Sequence, residues 1–364
     1  MKRGKIFKLQ GNAYKRGGIL GSRRALRGFS VFFAGVAMVI GVFSIINRVG
    51  GYAGKTSSSV MAQTTVAQTP TTTETTSFTR PTTVKKASEN KGATSTQPTT
   101  QSGKNYPVIE KQFLQDGITY KNISVKNSTD FTLDVEEELN SSLGFKIDDN
   151  HRVQVLIFHT HCCESYLKDD TGYYPADYYP RTTDNSENVA SVGDEIEKEL
   201  KSAGIGVIHD KTKHDYPSYN GSYDRSLETI QKYMDKYENI KVVLDIHRDA
   251  LGEGGESGKV KPVFKYKGQK TAQVMIMTGY NYEGGGYFPF WEDNLRFALK
   301  LQKTAEDMYP GLTRPLEFGE YTYNLNVCNG SLLIEVGTDA NTLGEAKRAG
   351  KMVGKALAKV LQNN

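Results

Sequence analysis

From about residue 107 to 364, short apolar runs alternate with segments of helical period. The runs "VQVLIF" (153–158), "IGVIHD" (205–210), "KVVLDIH" (241–247), "AQVMIMTG" (272–279) and "SLLIEVG" (331–337) have the length and composition of buried strands. Between them, "ENVASVGDEIEKELKSAG" sets Val189, Val192, Ile196 and Leu200 on one helical face and stops at Gly204. "YDRSLETIQKYMDKY", "WEDNLRFALKLQKTAEDMY" and "NTLGEAKRAGKMVGKALAKVLQ" read as further amphipathic helices. Repeated strand–helix alternation predicts an α/β domain with a mainly parallel central sheet and helices on both faces. In such sheets ligands sit outside the carboxyl ends of the strands.

The pattern changes upstream. "FSVFFAGVAMVIGVFSII" (29–46) carries no charge and approaches the roughly 20 residues that cross a bilayer as a helix. It follows a head, residues 1–28, with nine Lys or Arg and no acidic residue. A transmembrane helix over 29–48 is expected, its amino-terminal side in the cytoplasm by the positive-inside rule. A cleavable signal peptide is the rival, but the basic segment is long and no A-x-A site follows. Residues 49–106, with "TTVAQTPTTTETTSFTRPTTVKKASENKGATSTQPTTQSG", are too poor in apolar side chains to offset their ordering entropy. They read as a disordered Thr/Ser-rich tether with a reach of about 40 Å. The expected domains are therefore a cytoplasmic head, a membrane span, a linker, and a catalytic domain over 107–364 that faces the outside.

The net charge of +5 changes little. Without the basic head the remainder is slightly acidic, so no nucleic-acid partner is implied. The three cysteines, Cys162, Cys163 and Cys328, offer neither a disulfide framework nor a Cys-x-x-Cys metal site.

The candidate chemistry lies at strand ends. The first strand runs into His159, Thr160 and His161, with Glu164 three residues on; the third ends at His247; the fifth contains Glu335. His161-x-x-Glu164 places two ligands in one turn and His247 adds a distant third, the His/His/carboxylate set of a catalytic zinc ion with one open position. Such an ion lowers the pKa of water to about 7 and polarises a scissile carbonyl. Glu335 emerges from a buried run, where an unpaired carboxylate is costly. It suits a general base towards water and then a general acid towards a leaving amine. Taken singly, each residue has a plainer explanation: H-x-x-E arises by chance, His247 as a core histidine, Glu335 as a partner of Arg248. Their joint placement at three strand ends favours the metal. His159 is assigned a supporting place beside the ligands, with an exchange of roles with His161 left open. Glu187 competes with Glu164, although a favourable charge at a helix amino terminus accounts for it as well. Arg248 is the candidate to stabilise an oxyanion or bind a substrate carboxylate. His209, His214 and Asp215 lie in a Tyr-rich loop expected to be structural or to touch substrate. "GYNYEGGGYFPFWEDN" (279–294) is expected to shape the cleft.

Together "IFHTHCCESY", "RTTDNSENVASVGDEI", "VIHDKTKHDYPSYNGSYDRSLETI", "VVLDIHRDA", "FWEDNLRFALKLQ" and "SLLIEVGTDANTLGEAKRAG" resemble stage II sporulation protein P, a family of membrane-anchored cell-wall hydrolases of endospore-forming bacteria. The resemblance covers 107–364 and, with the anchor and tether, the whole architecture. It implies an amidase/zinc-carboxypeptidase-like fold and a zinc-dependent N-acetylmuramoyl-L-alanine amidase, endopeptidase activity also being described for members. It implies His161 and His247 as ligands and Glu335 as the catalytic carboxylate. A carboxypeptidase-like pattern points to Glu164 as the remaining ligand and an amidase pattern to Glu187; Glu164 is taken. It further implies septal peptidoglycan as substrate during engulfment, with the stage II sporulation proteins D and M as partners. The competing expectations are a metallo-endopeptidase or carboxypeptidase acting on cross-links only, and a non-catalytic wall-binding module tethered to the membrane.

Overall fold

The computed structural model describes residues 103–148, 152–283 and 287–363. The basic head, the expected membrane span and nearly all of the linker lie outside these residues. Among the described residues no helix is long and apolar enough to cross a membrane. In chain order the elements are β1 (Asn105–Lys111), β2 (Ile118–Tyr120), β3 (Ile123–Asn127), α1 (Val135–Asn140), β4 (Val153–Phe158), β5 (Tyr173–Pro175), α2 (Val189–Ser202), β6 (Gly206–His209), α3 (Ser222–Lys236) and β7 (Val242–Asp249). They continue with β8 (Lys259–Tyr266), β9 (Gln269–Ala272), β10 (Val274–Gly279), α4 (Trp291–Met308), β11 (Leu316–Gly319), β12 (Ser331–Thr338) and α5 (Leu343–Gln362). Every strand and helix expected from the apolar pattern is present. Among the described residues the first strand, β1, begins at Asn105, just ahead of the expected boundary at 107.

The central sheet has eight strands in the order β2-β3-β11-β10-β12-β7-β4-β6. It is mainly parallel, with antiparallel pairing only for β2 with β3 and β10 with β12. A four-stranded sheet, β5-β1-β8-β9, stands beside it and was not expected.

Side-chain alternation divides the central sheet into two faces. Val155 and Ile157 of β4, Val242, Leu244 and Ile246 of β7, and Leu332, Ile334 and Val336 of β12 join one core with α2, α4 and α5. Leu156 and Phe158 of β4 and Val243 of β7 face the other way and pack on Ile230 of α3. Helices thus cover both faces, as the alternation predicts.

The smaller sheet is tied to α5 by a buried charge. Lys261 of β8 has a side chain only 1% exposed, with Nζ 2.9 Å from Glu345 Oε1, 2.6 Å from Asp170 Oδ1 and 3.0 Å from Glu110 Oε1. The other oxygen of Glu345 accepts the Thr342 backbone N–H at 3.0 Å and so closes the capping box that starts α5. Removing the ammonium leaves a buried carboxylate without its cation. Lys261→Ala is expected to lower stability by about 3–5 kcal/mol, read as a drop in the urea midpoint at neutral pH.

Candidate metal centre

The site follows from strand alternation. In β7, Val243, Asp245 and His247 share the face opposite Leu244 and Ile246. In β12, Glu335 shares a face with Leu333, and the parallel register sets Glu335 directly beside His247. Just beyond this pair the register slips between Glu335 and Thr338. Gly337 sits in that bulge at φ 69°, a backbone conformation that favours glycine, and an added Cβ would meet Asn341 Oδ1 at 2.6 Å. On the neighbouring strand β4 ends at Phe158, and the turn that follows delivers His161 and Glu164 to the same place.

His161, Glu164 and His247 are all buried, and each offers a ligand atom within 4.8 Å of the others. Glu164 sits between the rings, with Oε1 3.6 Å from His161 Nδ1 and Oε2 3.5 Å from His247 Nδ1. The second nitrogen of each ring is held from behind. His247 Nε2 lies 2.8 Å from Asp245 Oδ1, and His161 Nε2 lies 3.1 Å from Ser222 Oγ at the start of α3. Asp245 is itself fixed, accepting the Thr160 N–H at 2.8 Å and the Thr160 hydroxyl at 2.6 Å. Two imidazoles with outer nitrogens anchored and inner nitrogens converging on a carboxylate form a donor set that fits zinc. Asp245 could have been found from sequence, because it lies two residues before His247 on a strand and therefore on the same face.

Burial opposes charge on Glu164, but the Arg248 guanidinium and the two imidazoles outweigh it and hold the carboxyl well below its usual range. Burial likewise opposes the charged form of His247, and Asp245 reverses the balance and raises its pKa well above the ordinary value. For Glu335 the nearby His247 and Arg314 charges do not offset burial. Burial, with the Asp249 charge adding to it, pushes its carboxyl up to about 8, and Oε2 is buried without a hydrogen-bond partner.

An aromatic shell covers the centre. Tyr219 stacks on the His161 ring with centroids 4.4 Å apart, and Tyr223 meets that ring at its edge at 5.5 Å. The Arg181 guanidinium lies 5.0 Å from the Tyr219 ring centre and pairs with Asp215. The Tyr-rich loop therefore does border the cleft. His214 is structural within it, its ring nitrogens 2.8 Å from the His159 carbonyl and 2.8 Å from Thr229 Oγ1.

Other expectations change. Arg248 does not point its guanidinium at a free position. Nε donates to the Ser165 carbonyl at 3.1 Å and the terminal nitrogen to the Pro180 carbonyl at 2.8 Å, while its backbone N–H donates to Glu164 Oε2 at 3.1 Å. Its task is to hold the ligand-bearing loop against β7. Glu187 lies outside the cluster, 3.2 Å from Lys168 Nζ. Cys162 and Cys163 are buried thiols, both pushed up to about 12 by burial and the Asp215 charge, and face no metal ligand role. Of the cleft loop at 279–294, residues 284–286 lie outside the described residues.

His159 belongs to a different arrangement. Its Nδ1 lies 2.8 Å from the Ile246 carbonyl and its Nε2 2.8 Å from His209 Nε2. A carbonyl only accepts, so Nδ1 carries the proton and Nε2 presents a lone pair to the His209 N–H. Burial and the nearby His209 push His159 down to about 3, so it stays neutral. Gly193 of α2 makes room for the pair, since a Cβ there would meet His209 Nε2 at 2.6 Å. His209 Nδ1 faces Asp194 at 3.2 Å and Glu197 at 3.4 Å, whose charges raise its pKa against the effect of burial. These three also lie within reach of one ion. Two ammonium groups already stand there: Lys211 Nζ is 2.5 Å from Asp194 and Lys201 Nζ 2.6 Å from Glu197.

Fold and site define an α/β protein with a His/Glu/His donor set at the sheet and a buried carboxylate beside it whose Oε2 accepts no hydrogen bond. The family model for stage II sporulation protein P matches residues 45–360, and the chain belongs to that family. The stage II sporulation protein P of Bacillus subtilis (strain 168) is 30% identical over 208 residues, 54% of this chain and 48% of that protein. The alignment thus spans about half the length of that relative. Among solved structures, the N-acetylmuramoyl-L-alanine amidase AmiC2 of Nostoc punctiforme is 11% identical, covering 60% of this chain and 97% of its own, at a TM-score of 0.34. The CwlD amidase from Clostridioides difficile in complex with the GerS lipoprotein is 12% identical, covering 58% and 100%, at 0.35. An N-acetylmuramoyl-L-alanine amidase from Clostridium difficile 630 is 14% identical, covering 59% and 97%, also at 0.35. At such scores these likenesses carry no weight for the chemistry.

The raised pKa of His209 makes stability depend on pH. Its contribution is full below the unfolded value of about 6.5 and is lost as pH rises through the higher folded value. His209→Gln is expected to flatten the fall in urea midpoint that the parent shows from about pH 6.5 upward.

Proposed function

We propose that this chain is a membrane-anchored, zinc-dependent peptidoglycan hydrolase that cleaves the amide bond between N-acetylmuramic acid and L-alanine. Its task would be remodelling of the septal wall during engulfment in sporulation. The reading rests above all on the convergence of His161, Glu164 and His247 with Glu335 at the same place on the sheet. Family membership supports the wall as substrate and sporulation as setting.

His161, Glu164 and His247 would hold the metal, which supplies a Lewis acid that polarises the amide carbonyl and acidifies water. Glu335 would be ionised beside that metal's positive charge, which opposes the burial that raises its pKa, and Oε2, buried with no hydrogen-bond partner, would then take a proton from the attacking water. The same oxygen then returns that proton to the amine nitrogen as the C–N bond breaks, so the carboxylate is regenerated. Asp245 and Ser222 keep the two imidazoles in orientation. Tyr219 shields one face of His161 from bulk water. Arg248 acts as a positioning residue through the Ser165 and Pro180 carbonyls. The segment 29–48 would anchor the chain and 49–106 would tether the domain on the outer side. The stage II sporulation proteins D and M are the proposed partners.

In the full-length protein, Glu335→Gln should reduce hydrolysis of purified wall by about 10²–10⁴-fold, with zinc content unchanged by elemental analysis. His161→Ala and His247→Ala should each lose zinc; stoichiometric metal in both would remove the site. Mass spectrometry of the digest should show peptides with free L-Ala amino termini. Products cut only at cross-links would replace the amidase by an endopeptidase.

A further inference from the structure

A cavity of about 600 Å³ is lined by the residues that follow Glu164 in the chain and takes no part in the mechanism above. Ser165, in its wall, directly follows Glu164. Tyr166, also in the wall, donates its hydroxyl to the Val336 carbonyl at 3.1 Å, next to Glu335. Arg181 is shared between the two places, lining the cavity and lying over the Tyr219 ring that covers His161. The segment that carries Glu164 thus continues into the cavity wall.

Two properties define what the cavity can hold. Its rim carries Tyr173 and Tyr179, 47% and 73% exposed, a degree of exposure for large aromatic rings that the core does not require. Its charges are paired: Lys168 stands 3.2 Å from Glu187, and Arg181 is bound to Asp215. The one further charge on the lining is acidic, Asp169. A ligand bearing carboxylates meets no unpaired cation on this lining, whereas a neutral ligand with flat apolar faces and many hydroxyls meets aromatic platforms and polar side chains. In the wall polymer the stem peptides carry the carboxylates. The lactyl carboxyl of each peptide-bearing muramic residue is consumed in the amide bond, which leaves that stretch of sugar strand uncharged.

We infer that this cavity is a subsite for the uncharged glycan strand, with N-acetylhexosamine rings lying on Tyr173 and Tyr179. The choice of sugar rests on the wall-hydrolase reading.

Chitotetraose, a neutral N-acetylglucosamine oligomer, and a free stem pentapeptide serve as probes. Binding is measured by calorimetry on full-length Glu335→Gln protein, so that nothing is turned over. Chitotetraose should bind, and Tyr173→Ala and Tyr179→Ala should each weaken it by about tenfold without altering Tm or affinity for the pentapeptide. The subsite is overturned if chitotetraose fails to bind, if both substitutions leave its affinity unchanged, or if they weaken the pentapeptide instead. Hydrolysis by the parent chain is scored separately. Tyrosine-dependent sugar binding by a chain that cuts no wall would remove the hydrolase reading and keep the subsite. Wall cleavage with sugar binding indifferent to both tyrosines would do the reverse.

Discussion

One buried negative charge organises the site. Glu164 is 7% exposed and would be costly there without compensation. It receives an N–H from the Arg248 backbone, the field of the Arg248 guanidinium, and an imidazole on either side. All but the His161 imidazole come from His247 and Arg248 of β7, so the carboxylate can be buried only when the β4 turn and β7 have met. Placing Glu164 and assembling the donor set are therefore the same folding event.

The sheet explains why this event yields a catalytic arrangement and not a closed ion-pair knot. Parallel pairing of β7 and β12 sets Glu335 level with His247, on the face where α3 begins. The antiparallel neighbour β10 offers Met275 opposite Glu335 and so no counter-charge. Glu335 is left beside His247 with its Oε2 free of any hydrogen bond, while Glu164 is fully engaged. Two buried carboxylates thus have opposite electrostatic fates: one is held ionised, and the other is pushed towards the neutral form by burial.

What the chain reveals beforehand depends on how strongly each element is patterned. The strands buried on both faces, "VQVLIF", "KVVLDIH" and "SLLIEVG", were legible because burial on two sides demands continuous apolar runs. The smaller sheet was not, since "KVKPVFKY" and "QKTA" mix polar and apolar residues and draw stability from Lys261 and its carboxylates. The antiparallel setting of β10 was also hidden, because no hairpin joins it to β12 and only the packing sets its direction. Arg248 shows how sequence adjacency misleads. It follows His247 directly, but in a strand the next residue points to the opposite face, so it serves the loop and not the cleft.

The same reasoning separates His159 from His161, two histidines whose roles the sequence left exchangeable. The Ile246 carbonyl fixes the proton on one ring nitrogen of His159, and His209 occupies the other. No lone pair is left for a metal unless the His209 contact breaks. His161, by contrast, has one nitrogen beside a serine hydroxyl and the other aimed at Glu164. The histidine that can serve as a ligand is the one with a nitrogen left free by its neighbours, and the neutral His159 instead joins β7 to β6 and, through His209, to the acidic residues of α2.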